Sequence, residues 1–525
     1  MIRRRTVTRL FVAMLALGIG YAQPARATTP TPAVASKTAP SDVYYEIFVR
    51  SWYDTNHDGI GDLNGVTAKL DYLKSLGVDG IWLMPINASP SYHGYDITNY
   101  EAINPQYGTM QGFHRLIAAA HKRGIKVIMD MVINHTSDQH PWFKAALNPR
   151  DPHHNWYVWA KPGTDLHALS PTYGPAWHRA PNGQYYLGVF DSHMPDLNYD
   201  NPAVRKAMIG VGQFWLRQGV DGFRLDAAQH IYDNFLSDMH SPVALAKNLA
   251  WWREYDQGLK KVDPNVWLVG EVWRQNPDNL TPYMGKLNAV FNFPLSTQLL
   301  TSVEQERDLG IGRGMAYVDA AYRKEDGGHF DDAPFLSNHD QERVMSQLGG
   351  NMAHMRVAAA LLMTVPGHAF VYYGEELGMR GQKPDPHLRE PMRWYRSGNG
   401  PGQTHWEPWT AGDGPQVSVQ AEQADPHSLL NLYRTLIGWR KQVSALRDGV
   451  LHAYPVDDVH VVAYTLQDAQ SHVLVVHNLS GRPRTIAVHG SGGDDFGRIL
   501  LQTGATATLH HGSLHLPPYT TMILH

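Results

Sequence analysis

The chain has 525 residues, which is enough for a large hydrophobic core and for more than one domain. Its formal net charge of −4 implies no bulk attraction to nucleic acid or to an anionic membrane surface. It has no cysteine, which excludes disulfides, thiolate metal sites and a cysteine nucleophile.

The first 27 residues have the pattern of a secretory signal peptide. An arginine-rich start precedes the apolar run 10–21, and small residues at Ala25 and Ala27 offer a cleavage site. The alternative is a membrane anchor, but the apolar run is too short to span a bilayer comfortably. We therefore expect a secreted or periplasmic protein with no membrane attachment after cleavage. Residues 28–41, rich in Pro, Thr and Ala, predict a disordered linker.

From Asp42 onward, apolar runs alternate with helical patterns, which is typical of βα units around a parallel sheet. Glycines at helix ends, as in "LDYLKSLGVDG", predict left-handed C-caps. Eight candidate strands favour a (β/α)8 barrel built from residues 42–135 and 199–440. These candidates are residues 43–52, 77–86, 124–133, 219–226, 265–273, 288–295, 332–340 and 368–376.

Two segments depart from the barrel pattern. Residues 136–198 carry many aromatic residues, histidines and prolines but no clear crossover helix, and we interpret them as an inserted subdomain after the third strand. A zinc site at "DPHHNWYVW" lacks a second spaced pair of ligands, so packing is the preferred interpretation of those histidines. Residues 441–525 contain alternating strands and predict a C-terminal antiparallel β-sandwich domain.

Charged residues stand where several of the apolar runs stop. They are Asp130, Arg224, Asp226, Glu271, His339 and Asp340. A single acid at a strand end is usually a loop cap or a salt bridge, but acids ending three different barrel strands would converge at one mouth. Glycoside hydrolysis requires such carboxyl pairs, one protonated and one ionised. Arg224, on the same strand face as Asp226, is expected to keep Asp226 ionised.

These residues fall within motifs that together resemble the α-amylase superfamily, glycoside hydrolase family 13. The motifs appear in order as "DMVINH" (130–135), "MPDLN" (194–198), "GFRLDAAQH" (222–230), "GEVW" (270–273) and "FLSNHD" (335–340). The resemblance runs from about Asp42 to the C-terminus. It implies a barrel, an inserted domain after the third strand and a C-terminal β domain.

The resemblance also implies residue roles. Asp226 corresponds to the nucleophile of a retaining mechanism, Glu271 to the general acid/base, and Asp340 to the third acid, which binds hydroxyls of the reacting sugar. The implied substrate-binding residues are Tyr95, Asp130, His135, Arg224 and His339. In related proteins, the residue equivalent to Asn134 either binds calcium or makes a hydrogen bond to the inserted domain. The sequence leaves both alternatives open.

The motif "MPDLN" resembles a branch intermediate between the oligo-1,6-glucosidases and the neopullulanases, in which secreted bacterial α-amylases occur. Two positions depart from related patterns. Gln229 stands where many α-amylases have lysine, which affects binding of the leaving-group sugar. Tyr92 stands where exo-acting α-glucosidases usually have an aspartate that grips the chain end, and this favours internal cleavage.

Residues 54–62, "DTNHDGIGD", predict a calcium loop. Oxygen donors recur at alternate positions, and Gly59 permits a sharp turn. The alternative is a solvated turn rich in Asp and Asn. The superfamily has a calcium loop of this form after the first strand, so the resemblance implies Ca2+ with a structural role. The expected ligands are Asp54, Asn56, Asp58, the carbonyl of Ile60, and Asp62.

The sequence therefore predicts a monomeric retaining endo-hydrolase of α-1,4-glucosidic bonds in starch, glycogen and maltooligosaccharides. One alternative is a cyclomaltodextrinase, a neopullulanase-like enzyme or a transglycosylating α-glucan enzyme. Such enzymes often carry an N-terminal β domain, whereas only the linker precedes this barrel. A more remote alternative is a non-catalytic glucan-binding barrel, which retention of all three acids disfavours.

Overall fold

The computed structural model describes residues 42–489 and 496–525. The predicted signal peptide and linker lie outside the described residues. Across the part that is described, no helix combines the length and apolar character needed to cross a bilayer.

Seven parallel strands curl into a continuous sheet. In sheet order they are Ala289–Val290, Trp267–Gly270, Gly222–Leu225, Lys126–Met131, Gly80–Leu83, Val43–Ile47 and Ala369–Tyr372. Nearly all their residues are buried, as expected for a parallel sheet covered on both faces.

The predicted seventh strand, residues 332–340, closes the barrel without forming a regular ladder. Isolated parallel bridges join Phe291 to Ala333 and Phe335 to Phe370. Pro334 has no N–H to donate, but its carbonyl accepts from the Phe370 amide at 2.9 Å. The predicted (β/α)8 barrel is thus confirmed, although isolated bridges stand in place of a regular seventh strand.

Helices connect the strands and cover the outside of the barrel. The longer ones are Leu70–Leu76, Met110–Lys122, Pro202–Arg217, Pro242–Leu259, Phe293–Glu304, Ile311–Glu325, Met352–Thr364 and Leu429–Gln442. The shorter ones are Val49–Trp52, Leu63–Ala68, Pro141–Ala146, Val344–Gln347, Asp385–Leu388, Val419–Gln423 and Ala445–Asp448. Side-chain oxygens of Thr109 and Asn201 cap two of them, and Gly77 ends another with the left-handed φ of 101° expected from the sequence.

The segment between Asn134 and Asn198 forms a small unit over the third strand. It contains the short helix Pro141–Ala146, a 3-10 turn at Pro152–Trp156 and a hairpin of Trp177–Arg179 with Tyr185–Leu187. A separate short ladder, Asn87–Ala88 with Asn99–Ile103, lies after the second strand. The segment rejoins the barrel through an antiparallel bridge between His135 and Asp196.

The C-terminal region packs two antiparallel sheets around its own core. One sheet contains Val450–Ala453, Val461–Gln467, His472–Asn478, Thr521–Leu524 and Ile499–Gln502, in that order, and the other contains Arg484–Ala487, Ser513–Leu516 and Thr508–His510. Polar contacts join this region to the barrel helices. Glu306 accepts hydrogen bonds from Tyr519 and from His354, and the Thr364 and Tyr464 hydroxyls lie 2.8 Å apart.

Aromatic rings fill the amino-terminal end of the barrel. Tyr44, Trp267 and Phe370 pack as three nearly parallel rings. The Tyr44 centroid lies 5.1 Å from each of the other two, at interplanar angles of 6° and 12°, and those two lie 6.2 Å apart. Phe291 packs against Phe370 at 4.8 Å. The barrel axis is therefore occupied by side chains, as is usual for this architecture.

Phe370→Ala should destabilise the protein by about 3–5 kcal/mol, because it removes a ring that several others contact and leaves a cavity. Urea unfolding monitored by tryptophan fluorescence measures the change. Val459→Ala, at a position 53% exposed, is the matched control and should change stability by less than about 0.5 kcal/mol. Equal effects of the two substitutions would contradict the stacked core.

Candidate active site

The charged residues predicted at strand ends do converge at the carboxyl-terminal mouth of the barrel. The register places Asp130 on the third strand opposite Arg224 on the fourth. Asp226 and Glu271 come directly after the fourth and fifth strands, and the Glu271 amide donates to the Leu225 carbonyl at 3.0 Å. Strand pairing therefore brings these side chains together.

Arg224 is the centre of the cluster. Its Nη1 lies 2.6 Å from Asp226 Oδ1 and 3.0 Å from Asp130 Oδ1, and its Nη2 lies 2.9 Å from Glu271 Oε2. The guanidinium is 1% exposed and also lies 5.2 Å from the centre of the Trp82 ring. One buried cation thus contacts three carboxyl groups, and its shortest contact is with Asp226.

The backbone after Asp226 places two of its N–H groups against Glu271. Ala227 has a φ of 48°, a left-handed conformation that costs a non-glycine residue roughly 1 kcal/mol or more. In that conformation its N–H donates to Glu271 Oε2 at 3.0 Å, and the next amide, of Ala228, donates to the Glu271 carbonyl. Local backbone strain is therefore offset by hydrogen bonds that fix Glu271.

A second buried network fixes Asp340. His339 Nδ1 lies 2.6 Å from Glu46 Oε1, and its Nε2 lies 2.9 Å from Asp340 Oδ2. Arg389 Nη2 lies 2.7 Å from the other oxygen of Asp340. Tyr95 links the two networks, because its hydroxyl lies 2.7 Å from His339 Nε2 and donates to Asp130 Oδ2 at 3.1 Å.

These surroundings separate the protonation behaviour of the acids. Burial raises the pKa of Asp226 and of Glu271, and Arg224 opposes the rise in both. Burial would also raise the pKa of Asp340, but the charges of His339 and Arg389 hold it well below its usual range. Asp340 is therefore ionised, whereas the cluster around Arg224 favours retaining a proton.

The effect of Arg224 on Asp226 has the expected sign. Its charge and hydrogen bond lower the pKa of Asp226, while burial raises it by more, so the net shift is upward. Burial also raises the pKa of Asp130 to about 7, against the effect of Arg224. One cation faces three carboxyl groups, so charge balance favours a shared proton rather than full ionisation.

A cavity of 710 Å3 opens above these groups. Asp226, Glu271 and Asp340 line its floor. Exposed aromatic rings also line the cavity. Trp273 is 44% exposed and stacks on Phe293 at 5.0 Å, and Tyr173 from the inserted segment is 71% exposed. Exposed rings of this kind suit the apolar faces of sugars.

The remaining substrate-site predictions have defined surroundings. His135 Nε2 contacts the Tyr95 carbonyl at 3.0 Å, and burial lowers the pKa of His135 to about 4, so its ring is neutral. Gln229 Nε2 contacts His230 at 2.8 Å. Tyr92 stacks on Trp406 at 5.4 Å, and its hydroxyl lies 3.5 Å from Arg389.

Asn134 makes a hydrogen bond to the inserted segment. Its Nδ2 donates to Asp196 Oδ1 at 3.2 Å, and the Val189 amide donates to the other oxygen of Asp196. Burial raises the pKa of Asp196 well above its usual range. The hydrogen bond to the inserted segment is therefore present, and calcium binding by Asn134 stays a prediction.

Three contributors were not singled out from the sequence: Glu46, Trp82 and Arg389. Glu46 is 2% exposed in the first strand, so a charged residue within "VYYEI" was an available signal. Trp82 donates from Nε1 to Asp130 Oδ2 at 3.3 Å. Arg389 lies beyond the last strand, where the sequence offers no periodic pattern that would place it.

The predicted calcium loop carries oxygen donors on a turn that its own hydrogen bonds stabilise. Asp54 accepts from the amides of Asn56, His57 and Gly59 at 3.0, 2.6 and 2.8 Å. Asp62 accepts from Thr55 and caps the helix Leu63–Ala68. This donor chemistry suits a hard cation. Within residues 42–489 and 496–525, however, no three Asp, Glu, His or Cys side chains already converge as a metal site.

Comparisons with known proteins agree with this geometry. Residues 46–449 match the family model "Alpha amylase, catalytic domain", and residues 461–523 match "Alpha-amylase SusG C-terminal domain". The chain is 42% identical to Alpha-amylase 3 of Dictyoglomus thermophilum over 440 residues, covering 83% of this chain and 84% of that protein. It is 35% identical to 4-alpha-glucanotransferase of Thermotoga maritima over 449 residues, covering 83% and 95%.

Among solved structures, the alpha-amylase from H. orenii superposes with a TM-score of 0.84. That structure is 42% identical in sequence, and the alignment covers 93% of this chain and 99% of the other.

His339→Gln should change how stability depends on pH. Burial would lower the pKa of His339, but Asp340 and Glu46 raise it from 6.5 to about 9. The stabilisation from a charged His339 is therefore fully present below pH 6.5 and lost as pH rises through about 9. Over this window the wild type should lose about 3 kcal/mol relative to the variant, measured by urea unfolding at a series of pH values. A difference that does not vary with pH would contradict this.

Proposed function

Because the chain belongs to the alpha-amylase family, glycoside hydrolase family 13, we propose that it cleaves α-1,4-glucosidic bonds within starch, glycogen and maltooligosaccharides, with retention of anomeric configuration. The observation that carries the proposal is the contact of Asp226 and Glu271 with one guanidinium, beside a separately ionised Asp340.

In the proposed reaction, Asp226 attacks the anomeric carbon and forms a glycosyl ester, while Glu271 protonates the departing glycosidic oxygen. Arg224 makes its shortest contact with Asp226, at 2.6 Å against 2.9 Å for Glu271, so it favours the proton on Glu271. Water then attacks the ester, Glu271 accepts the water proton, and Asp226 leaves as a carboxylate.

Asp340 binds hydroxyls of the reacting sugar in this proposal. His339 and Arg389 hold it ionised and fixed in orientation, so it presents negative charge where the oxocarbenium-like transition state develops positive charge. Tyr95, stacked on the His339 ring at 5.6 Å, provides a flat surface beneath that sugar.

Tyr92 supports cleavage inside a chain. Its ring lies against Trp406, and no carboxylate stands at that position to bind the terminal hydroxyl of a glucan. A second candidate function, glucanotransfer, is favoured by the exposed rings of Trp273 and Tyr173, which could hold an acceptor sugar in place of water. The relative named 4-alpha-glucanotransferase, at 35% identity, agrees with that candidate.

We also propose that the loop 54–62 binds one Ca2+ through Asp54, Asn56, Asp58, the Ile60 carbonyl and Asp62. The all-oxygen donor set supports this. A bound cation would neutralise the acidic loop and tie it to the barrel, stabilising a chain that has no disulfide. Export to the periplasm or medium is proposed on the sequence pattern of residues 1–27 alone.

Asp226→Asn should lower the rate of starch hydrolysis at least about a thousandfold, equivalent to about 4 kcal/mol of barrier, because the amide is a poor nucleophile. Product chain lengths and the anomer first released from soluble starch are measured for both proteins. The wild type should release mixed oligosaccharides as α-anomers. Asp200→Asn, which changes a surface acid paired with Lys247, should retain activity.

Each alternative has its own product pattern in this assay. Glucose alone, released from chain ends, would overturn internal cleavage. Products longer than an added maltooligosaccharide substrate would favour glucanotransfer, and preferred cleavage of cyclodextrins or pullulan would favour the cyclomaltodextrinase or neopullulanase-like function. Sugar binding without turnover would identify a glucan-binding barrel.

Calcium should raise the melting temperature of the metal-depleted protein, by an amount corresponding to about 2.7 kcal/mol when free Ca2+ is about 100 times its Kd. Asp58→Asn should reduce this shift, whereas Asp457→Asn, which changes an exposed C-terminal aspartate, should leave it unchanged. Equal shifts in both variants, or no shift in the wild type, would contradict calcium binding by this loop.

A further inference from the structure

The half-buried indole of Trp406 packs against the part of the cleft wall that carries Tyr92 and Arg389. Its ring lies 5.4 Å from the Tyr92 ring at an interplanar angle of 23°, and it meets Phe48 edge-on at 5.7 Å. The Arg50 guanidinium lies 5.4 Å from the centre of the indole. The function proposed above uses Tyr92 and Arg389 but gives no role to the indole beside them.

A buried hydroxyl connects Trp406 to the main chain of Arg389. The indole Nε1 donates to Ser51 Oγ at 2.8 Å, and Ser51 Oγ donates to the Arg389 carbonyl. Ser51 is completely buried, in the short helix Val49–Trp52 just after the first strand. Because a hydroxyl has one hydrogen, donating it to Arg389 leaves the lone pairs for the indole N–H, so the two bonds are compatible.

Both contacts of Trp406 lead to Arg389. The Nη2 of Arg389 lies 2.7 Å from Asp340 Oδ1, and its Nη1 lies 3.5 Å from the Tyr92 hydroxyl. Its guanidinium carbon lies 5.8 Å from the centre of the Tyr92 ring. The indole is therefore connected to the guanidinium through Tyr92 and to the main chain of Arg389 through Ser51.

Hydrogen bonds of its own loop fix Trp406 in turn. The amide of the preceding residue, His405, donates to the Gly59 carbonyl at 2.9 Å. The Thr404 hydroxyl donates to the Ser51 carbonyl at 3.2 Å. The loop is thus attached to two segments that follow the first strand, and the indole is held in place without a contribution from substrate.

The orientation of Asp340 depends on where Arg389 stands. Arg389 is 3% exposed and contacts one carboxylate oxygen, while His339 Nε2 lies 2.9 Å from the other. A carboxylate held at both oxygens cannot turn without losing one of these contacts. A displacement of about 1 Å at a reacting centre can lower the rate about a hundredfold, so the position of Arg389 matters for the proposed reaction.

We propose that Trp406 is a positioning residue, which holds Tyr92 and Arg389 so that Arg389 keeps Asp340 in its productive orientation toward the reacting sugar. This inference rests on the proposed function. Because Asp340 is proposed to act on positive charge that develops in the transition state, misalignment lowers kcat rather than raising KM.

Three variants separate the contacts of the indole. Trp406→Phe keeps a ring against Tyr92 but removes the N–H, Trp406→Leu removes both, and Ser51→Ala removes the connecting hydroxyl. Trp159→Phe is the matched control. It changes another half-buried indole, in the inserted segment, which stacks on His154 at 4.8 Å and donates to the His154 carbonyl at 2.7 Å. The kcat and KM for maltoheptaose are measured, together with the melting temperature.

We expect Trp406→Leu to lower kcat at least about tenfold and Trp406→Phe about threefold, with KM within about twofold of the wild type in both. Ser51→Ala should lower kcat about fivefold, and adding Trp406→Phe should lower it no further, because the two substitutions break the same connection. Trp159→Phe should leave kcat and KM unchanged.

Three results would overturn the inference while leaving the proposed function intact. The first is a lower melting temperature in the Trp406 variants with wild-type kcat and KM, which would identify a purely structural role. The second is a rise in KM alone, which would indicate direct contact with substrate. The third is a multiplicative effect of Ser51→Ala and Trp406→Phe, about fifteenfold, which would show that they act independently. Absence of glucan turnover by the wild type would instead refute the proposed function.

Discussion

The buried guanidinium of Arg224 is the interaction on which the rest of the site depends. A cation at 1% exposure is strongly unfavourable unless it is paired, and here its partners are Asp130, Asp226 and Glu271, from three neighbouring strands. Burial of those three acids in ionised form is in turn unfavourable without the cation. The charge cluster and the parallel register of strands three, four and five therefore require each other, and an error in pairing would leave charges buried without partners.

The two sides of the cleft differ in electrostatic character as a consequence. Around Asp340, the cations His339 and Arg389 stabilise a permanent negative charge. Around Glu271, one cation is divided among three acids, and exposed aromatic rings replace further charge. One side thus presents fixed charge to a sugar ring, and the other presents an exchangeable proton and apolar surface.

The charged residues that the sequence placed in the site were those at the ends of apolar runs, because strand ends converge in a parallel barrel. Tyr95 and His135 lie on loops and were expected only from the family resemblance. Glu46 and Trp82 are each the last residue but one of a strand, but the apolar runs 43–52 and 77–86 continue past them. The sequence therefore contains no sign that these strands end beside the site. Arg389 reaches Asp340 from a long irregular loop. Pro334 likewise left bridges where a strand was predicted, since it removes one ladder donor.

The stacked rings of Tyr44, Trp267 and Phe370 close the far end of the barrel. No chain can be threaded along the axis, so under the proposed function a glucan lies across the mouth, with its two ends pointing away from the molecule. Substrate entry and product departure then share one opening, and a fragment released on one side of the cut leaves without passing the fragment on the other. Because one end of the barrel is closed, the proposed reaction takes place at a single open mouth, where a long glucan can be cleaved at any of its internal bonds.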